Sequence, residues 1–298
     1  MTKGPESRVL SGEPAMPDAA PVRVAAVQMD PRIGAVDANL EAILAGLREA
    51  SAAGARLVVF PECALTGYVF EGREEALPFA EPIPGPSTRE VASACAETGA
   101  FAVVGLLERD GDRLFNASVL VGPGGVVGVY RKIHLPFMGV DRFADPGDRP
   151  LAVLDAGGVR VGMHICYDGT FPETGRVLTL LGADVLVLPT NWPIQAASTA
   201  EHVPACRAIE NVVYVIAVDR VGLERGCRFA GCSSIAGPGG EILARAGPDD
   251  PVILYADIDP ALARRKRIVR IPGVAEVDRI ADRRPGFYGP LVAPNGRD

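Results

Sequence analysis

Two widely separated segments, GARLVVFPE (54–62) and GADVLVLPT (182–190), share one design: Gly-Ala, a continuous Val/Leu run, then Pro, each after a helix-like stretch. A second pair, VGPGGVVG (121–128) and AGPGGEIL (236–243), sets Pro-Gly-Gly between two strand-like runs, which marks a hairpin turn. Short Gly/Pro matches arise by chance, so neither pair decides anything alone. Together they predict two related halves, each with its own sheet, packed into a layered α/β sandwich.

The rest of the pattern fits that frame. VRVAAVQM (22–29), RLVVFPE (56–62), FAVVGLLE (101–108), VRVGMHI (159–165), DVLVLP (184–189) and VVYVIAV (212–218) read as strands. Helices are expected over 37–54, 87–99, 172–182 and around 196–211; the first opens on an Asp and stops before Gly54. Continuous apolar strands are buried on both faces, as in a sheet covered by helices or by a second sheet. The 298 residues, 48% hydrophobic and 22% charged, suffice for a large core.

No Ser- or Pro-rich linker divides residues 22–260, which are read as one domain. Residues 1–21, rich in Pro, Gly, Ser and charge and without the apolar stretch of a secretion signal, are expected to be a disordered leader. Residues 261–298 carry a basic cluster and then little periodicity, and are expected to be an extension lying on a neighbouring subunit. The net charge of −7 argues against a nucleic-acid partner. No apolar run reaches the roughly 18 residues of a membrane span. Six cysteines in so long a chain do not form a secreted disulfide scaffold, so reduced thiols in a cytoplasm are the simpler expectation. Cys227 and Cys232 lack zinc-ligand spacing, and Cys63 is read as packing.

Three reactive side chains interrupt apolar strands at their C-terminal ends: Glu62, Lys132 and Cys166. Sheet ends are where α/β folds gather reactive groups, because loops there converge over a rigid scaffold. A thiol can attack an electrophilic carbon, a carboxylate can take and return protons, and an ammonium can hold the charge that develops on oxygen. Each residue also has a plain reading: a buried inert Cys, an ion-pairing or capping Glu, a solvated Lys beside Arg131. Rival chemistries are weaker. A Cys–His pair could recruit His134, His164 or His202, and His164 shares a strand face with Cys166. GCSSIAG (231–237) is not G-x-S-x-G, and the GPGG stretches sit in hairpins rather than opening a helix.

FPECALTGY (60–68), YRKIHLP (130–136) and ICYDGTFPE (165–173) resemble the three motif blocks of the nitrilase superfamily of carbon–nitrogen hydrolases. LPTNWP (188–193) and RAIENVVYVIAVDRVG (207–222) resemble its later blocks, and DRRPGFYGPL (282–291) its C-terminal extension. The resemblance implies a four-layer αββα sandwich and a Glu62–Lys132–Cys166 triad. Glu62 would deprotonate Cys166, the sulfur would attack an amide carbon, and Lys132 with the backbone N–H of Tyr167 would stabilise the oxyanion. A thioester would follow, then hydrolysis, without metal or organic cofactor.

Superfamily members that hydrolyse nitriles usually carry Trp-Glu after the cysteine; here Tyr167-Asp168 follows, which favours amide hydrolysis, with N-carbamoyl hydrolysis second. A catalytically silent binding scaffold is the alternative from another class, although no triad member is missing. Many members carry a second glutamate between the Lys and Cys blocks. HLPFMGVDRFADPGD (134–148) has none; Asp141 is the nearest candidate to position substrate, against a loop salt bridge to Arg142. Tyr68, Phe137, Tyr167, Asn191 and Trp192 are candidate pocket residues, with core filling the default for Trp192. Glu173 is read either as a hydrogen-bond acceptor supporting the nucleophile's loop or as a helix N-terminal cap. The family also implies a small-molecule amide substrate and a homodimer or larger even assembly.

Overall fold

The computed structural model describes residues 21–293, so the leader expected over 1–21 lies, Pro21 apart, outside the described residues. The strands are β1 (Val22–Gln28), β2 (Leu57–Val59), β3 (Phe101–Asp110), β4 (Arg113–Gly122), β5 (Gly125–Arg131), β6 (Val153–Asp155), β7 (Arg160–Met163), β8 (Val185–Thr190) and β9 (Tyr214–Asp219). They continue with β10 (Leu223–Glu224), β11 (Cys227–Arg228), β12 (Ser234–Ala236), β13 (Ile242–Arg245), β14 (Val252–Ile258), β15 (Arg267–Ile271) and β16 (Ala275–Asp278). The helices are α1 (Val36–Ala52), α2 (Arg73–Ala76), α3 (Pro86–Thr98), α4 (Pro172–Leu180), α5 (Ala197–Asn211) and α6 (Pro260–Arg264).

Two six-stranded sheets form the centre, in the orders β14-β1-β2-β3-β4-β5 and β13-β12-β9-β8-β7-β6. In the first, Val24 of β1 sits beside Leu57 of β2, and Leu57 beside Phe101 of β3, all parallel. The second repeats this with Val161 of β7, Val185 of β8 and Tyr214 of β9. The repeated segments noted in the sequence therefore occupy corresponding strands, β2 and β8. The two Pro-Gly-Gly turns join corresponding antiparallel pairs, β4–β5 and β12–β13.

Side-chain alternation along each strand builds four layers. Val24 and Ala26 of β1 and Leu57 and Val59 of β2 pack against Val161, Val185, Val187 and Ile216 of the other sheet. The alternate residues Ala25, Val27 and Val58 meet Ile43 and Leu47 of α1 and Val91 and Ala94 of α3. On the far side Leu186 and Val215 meet Leu178 of α4 and Ala208 of α5. Each buried Val or Leu contributes about 1.5–3 kcal/mol, which is why the strands read as unbroken apolar runs. The chain is a four-layer αββα sandwich of two related halves.

Two expectations change in detail. The run 56–62 pairs only over Leu57–Val59; the last ladder bond runs from the Phe60 N–H to the Val103 carbonyl (2.9 Å), and Pro61 then supplies no donor. The extension contains regular structure despite its weak periodicity. Residues Arg267–Ile271 pair with Ala275–Asp278 as a hairpin. Lys266 donates to the Asn211 and Val212 carbonyls, so the extension rests on α5 of its own chain.

Candidate active site

β2 and β7 are parallel strands of the facing sheets, and the segments that leave their C-terminal ends carry Glu62 and Cys166. Both turns are sharp. Cys63 and Cys166 each have φ of 48°, the left-handed region in which non-glycine residues are uncommon. Such strain, about 1–3 kcal/mol, persists only where the surroundings over-determine it. For the Glu62 turn the support is Gly105 of β3: a Cβ there would lie 2.4 Å from the Pro61 carbonyl oxygen and 2.8 Å from Glu62 Cα. Asn191, following β8, donates from Nδ2 to the Glu62 carbonyl (3.0 Å) and ties this turn to the other sheet.

The Cys166 turn is held by Asp168, which is fully buried. Its carboxylate accepts from the Ile165 N–H (3.0 Å), the Tyr130 hydroxyl (2.7 Å), the His134 N–H (3.0 Å) and His134 Nδ1 (2.8 Å). Thr174 Oγ1 donates to the Asp168 carbonyl, and Arg207 Nε to the Gly169 carbonyl. The carboxylate thus pins the residue before the nucleophile candidate to the Lys132-bearing segment.

Four side chains close a buried ring whose charges act on Cys166. Lys132 Nζ donates to Glu62 Oε1 (2.7 Å) and to Asp141 Oδ2 (2.5 Å). Asn116 Nδ2, on β4, donates to Glu62 Oε1 (2.7 Å) and Asp141 Oδ1 (2.8 Å). The Tyr68 hydroxyl donates to Asp141 Oδ2 (2.7 Å). All five residues are buried, and Glu62 Oε2 alone among these carboxylate oxygens has no hydrogen-bond partner.

Burial sets the electrostatics. It raises the Glu62 carboxyl above its usual range even against the opposing pull of Lys132, and Asp141 raises it further. Burial raises the Cys166 thiol well above its ordinary value; Glu62 adds to this, while Lys132 and a backbone hydrogen bond from Asn191 oppose it. For Lys132 burial acts in the lowering direction, but Asp141 and Glu62 more than reverse it and keep the group an ammonium. The set is a neutral thiol, a basic carboxylate and a fixed cation.

The other expected residues divide. Tyr68 and Asp141 join the ring; Asp141 pairs with Lys132, whereas Arg142 donates to the Gly139 and Phe70 carbonyls. Asn191 and Trp192 are buried, Trp192 in the same apolar cluster as Cys166, with Asn191 Oδ1 and Trp192 Nε1 unpartnered. Tyr167 is partly exposed beside Phe171, its ring edge-on. Phe137 is 91% exposed, with Arg142 over its ring, and stands outside the buried cluster. Glu173 is exposed on the first turn of α4; the Cys166 turn is supported by Thr174, the next residue, which faces inward.

Cys63 packs, as read, with its thiol donating to Asn116 Oδ1 (3.6 Å). The histidines do not pair with Cys166: His134 bonds Asp168, His202 is exposed beside Glu201, and burial pushes His164 down to about 4, so it stays neutral.

Sequence reasoning missed Asn116 and Asp168 as members of this cluster. A lone Asn within the apolar LFNASVLVG (114–122) was the available signal for the first. Glu224 was also missed: its carboxylate accepts from the Tyr68 and Val69 N–H groups (2.9 and 2.7 Å) and from Arg220 (2.6 Å), fixing the Tyr68 loop.

The sequence profile of the carbon-nitrogen hydrolase family matches residues 23–268. A nitrilase of Pyrococcus abyssi is 44% identical over 90% of this chain and 99% of its own. An (R)-stereoselective amidase of Pseudomonas sp. is 35% identical over 93% of this chain and 97% of its own. Among solved structures, a mutant of the amidase from Nesterenkonia sp. AN1, with the acetamide moiety of fluoroacetamide added covalently at its active-site cysteine, superposes with a TM-score of 0.75. It is 25% identical and covers 93% of this chain and 98% of its own.

Proposed function

The chain belongs to the carbon-nitrogen hydrolase family, and from that premise we propose that it is a cysteine-dependent amidase that turns a small amide into a carboxylic acid and ammonia or an amine. The observation that carries the reading is the buried Lys132–Glu62 pair with Glu62 Oε2 left without a partner, both charges being near enough to act on the Cys166 thiol.

Glu62 Oε2 takes the Sγ proton as sulfur bonds to the amide carbon. The carbonyl oxygen becomes an oxyanion, held by the Lys132 ammonium and the Tyr167 backbone N–H. The intermediate collapses as Glu62 returns that proton to the leaving nitrogen, and a thioester remains. Glu62 then takes a proton from water as hydroxide adds to the thioester carbon, and on collapse it returns that proton to the departing Cys166 sulfur, releasing the acid and restoring the thiol. Raising the Glu62 carboxyl brings its basicity closer to that of the thiol it must deprotonate. No step calls for a metal or cofactor.

Tyr167-Asp168 after the nucleophile supports amide over nitrile hydrolysis, as do the amidase relatives. The Pyrococcus abyssi relative supports nitrile hydrolysis as the second reading. Exposed Val177, Leu180 and Ile209 along α4 and α5, with Leu291 and Val292 of the extension across a groove of about 1000 Å³, support an even homo-oligomer joined at this face. Six free cysteines suit a reducing cytoplasm.

Ammonia release from a panel of aliphatic amides, N-carbamoyl amino acids and nitriles tests the reaction. Amide turnover, lost in Cys166→Ala, is expected. Nitrile turnover without amide turnover, or a fully active Cys166→Ala enzyme, would overturn it.

A further inference from the structure

Glu62 has two carboxylate oxygens in unlike surroundings. Oε1 accepts from both Lys132 Nζ and Asn116 Nδ2, each at 2.7 Å, whereas Oε2 is buried without a partner. An orphaned buried acceptor costs about 1–3 kcal/mol, more when charged, and a carboxylate free to turn would spread its bonds over both oxygens. Something stops it from turning.

We infer that Asn116 is a positioning residue that reserves Glu62 Oε2 as the proton acceptor by pinning Oε1. This rests on the cysteine-hydrolase reading above. The asparagine side chain is itself locked. Its two neighbours, Glu62 and Asp141, are carboxylates that accept, so the NH₂ group faces them and both its hydrogens are used, at 2.7 and 2.8 Å. Its Oδ1 points the other way, where the Cys63 thiol donates to it. Its backbone is tied to the lysine: the Lys132 N–H donates to the Asn116 carbonyl at 2.8 Å. Lysine alone leaves the carboxylate a choice of oxygen, because an ammonium is a rotatable point donor. The second, fixed donor on Oε1 removes the choice.

The amide is also the only uncharged member of the four-residue ring, and neutrality matters as much as geometry. Two carboxylates already share one ammonium. The groups acting on Glu62 or acted on by it are Lys132, Asp141, Cys63, Cys166, Tyr68 and Asp219, and Lys132 is the sole cation among them. An isosteric aspartate at position 116 would add a third carboxylate to that one cation. One of the three would then hold a proton near neutrality, and Glu62 would be a base only at higher pH.

The experiment follows the rate of Cys166 alkylation by iodoacetamide against pH, read at peptide level by mass spectrometry, together with kcat and KM for an aliphatic amide. It compares the full-length wild-type chain with Asn116→Asp and with the neutral, shorter Asn116→Ser. Asn116→Asp is expected to shift the acid limb of both profiles up by ~1 pH unit or more. Either variant is expected to lose about 10²-fold in kcat with KM little changed. Asn116→Ser decides the matter should Asn116→Asp not fold. A purely structural role would lower the melting temperature and leave the pH profile of the folded protein where it was, which overturns the inference. A fast-reacting Cys166 indifferent to both substitutions also overturns it, and leaves the hydrolase reading standing. A wild-type Cys166 no faster than the exposed Cys206 overturns both.

Discussion

Arg131 and Lys132 are consecutive residues at the end of β5, both buried among carboxylates, and they are put to different use. Strand alternation sends their side chains in opposite directions. Arg131 makes a two-pronged bond to Glu108 (2.6 and 2.7 Å), reaches Asp110 (2.8 Å) and Asp148 (3.0 Å), and lies 3.8 Å over the Phe115 ring. Both Glu108 oxygens are engaged, and Asp110 and Asp148 reach solvent. Lys132 faces the interior, and its network leaves Glu62 Oε2 open. A network that only holds the fold can close on itself. One that, as proposed for Glu62, moves protons has to keep a lone pair unspent, at a cost in stability.

Substituting each cation by methionine tests this contrast most severely. Lys132→Met is expected to lower kcat by about 10²–10³-fold while the protein still folds. Arg131→Met is expected to destabilise by about 3–5 kcal/mol in denaturant titration, since buried Glu108 keeps only the more distant Arg149 (3.9 Å) as a cationic partner, with the turnover of folded enzyme near wild type. A swap of these outcomes would erase the distinction.

Acid should separate the two networks next. Burial raises Glu62 above the ordinary value of 4.5, so its basic form, and with it the proposed kcat/KM, is lost at a pH above the ordinary carboxylate range. Asp148 is lowered, first by its hydrogen bond from Arg131. The stability it contributes is fully present above its unfolded value, near 3.8, and disappears only as pH falls through the lower folded value. Rates and circular dichroism followed between about pH 3 and 7 are therefore expected to show activity failing before structure. Unfolding that precedes inactivation would contradict this. The smallest effect is expected from Tyr68→Phe, which removes one hydrogen bond to Asp141; kcat should fall about fivefold, the equivalent of roughly 1 kcal/mol.

Much of the architecture was readable because it rests on local pattern. Apolar runs with Pro-Gly-Gly turns and helix boundaries foretold both sheets, and the paired segments foretold two halves, since a strand buried on both faces has few sequence options. The site was readable only where a polar residue broke such a run. Glu62, Lys132 and Cys166 broke theirs at strand ends. Asn116 did so in mid-strand and was passed over, because a single polar residue inside a strand carries no sign of what it faces across the sheet. Glu173 and Phe137 stand outside the buried cluster because adjacency in sequence does not set direction: Glu173 lies in the first turn of α4, in keeping with its helix-terminal reading, while Thr174 turns inward one position later, and Phe137 points to solvent.

By itself the sequence determined the layers, their order and the three polar interruptions at strand ends, because periodicity and residue type act within a few positions of the chain. Only the tertiary structure decided which oxygen of Glu62 stays free, that Asp141 pairs with Lys132 rather than Arg142, and that Asp168 braces the Cys166 turn. Those outcomes depend on ångström-scale approach between strands far apart in the chain, where burial removes water and makes every remaining donor and acceptor count.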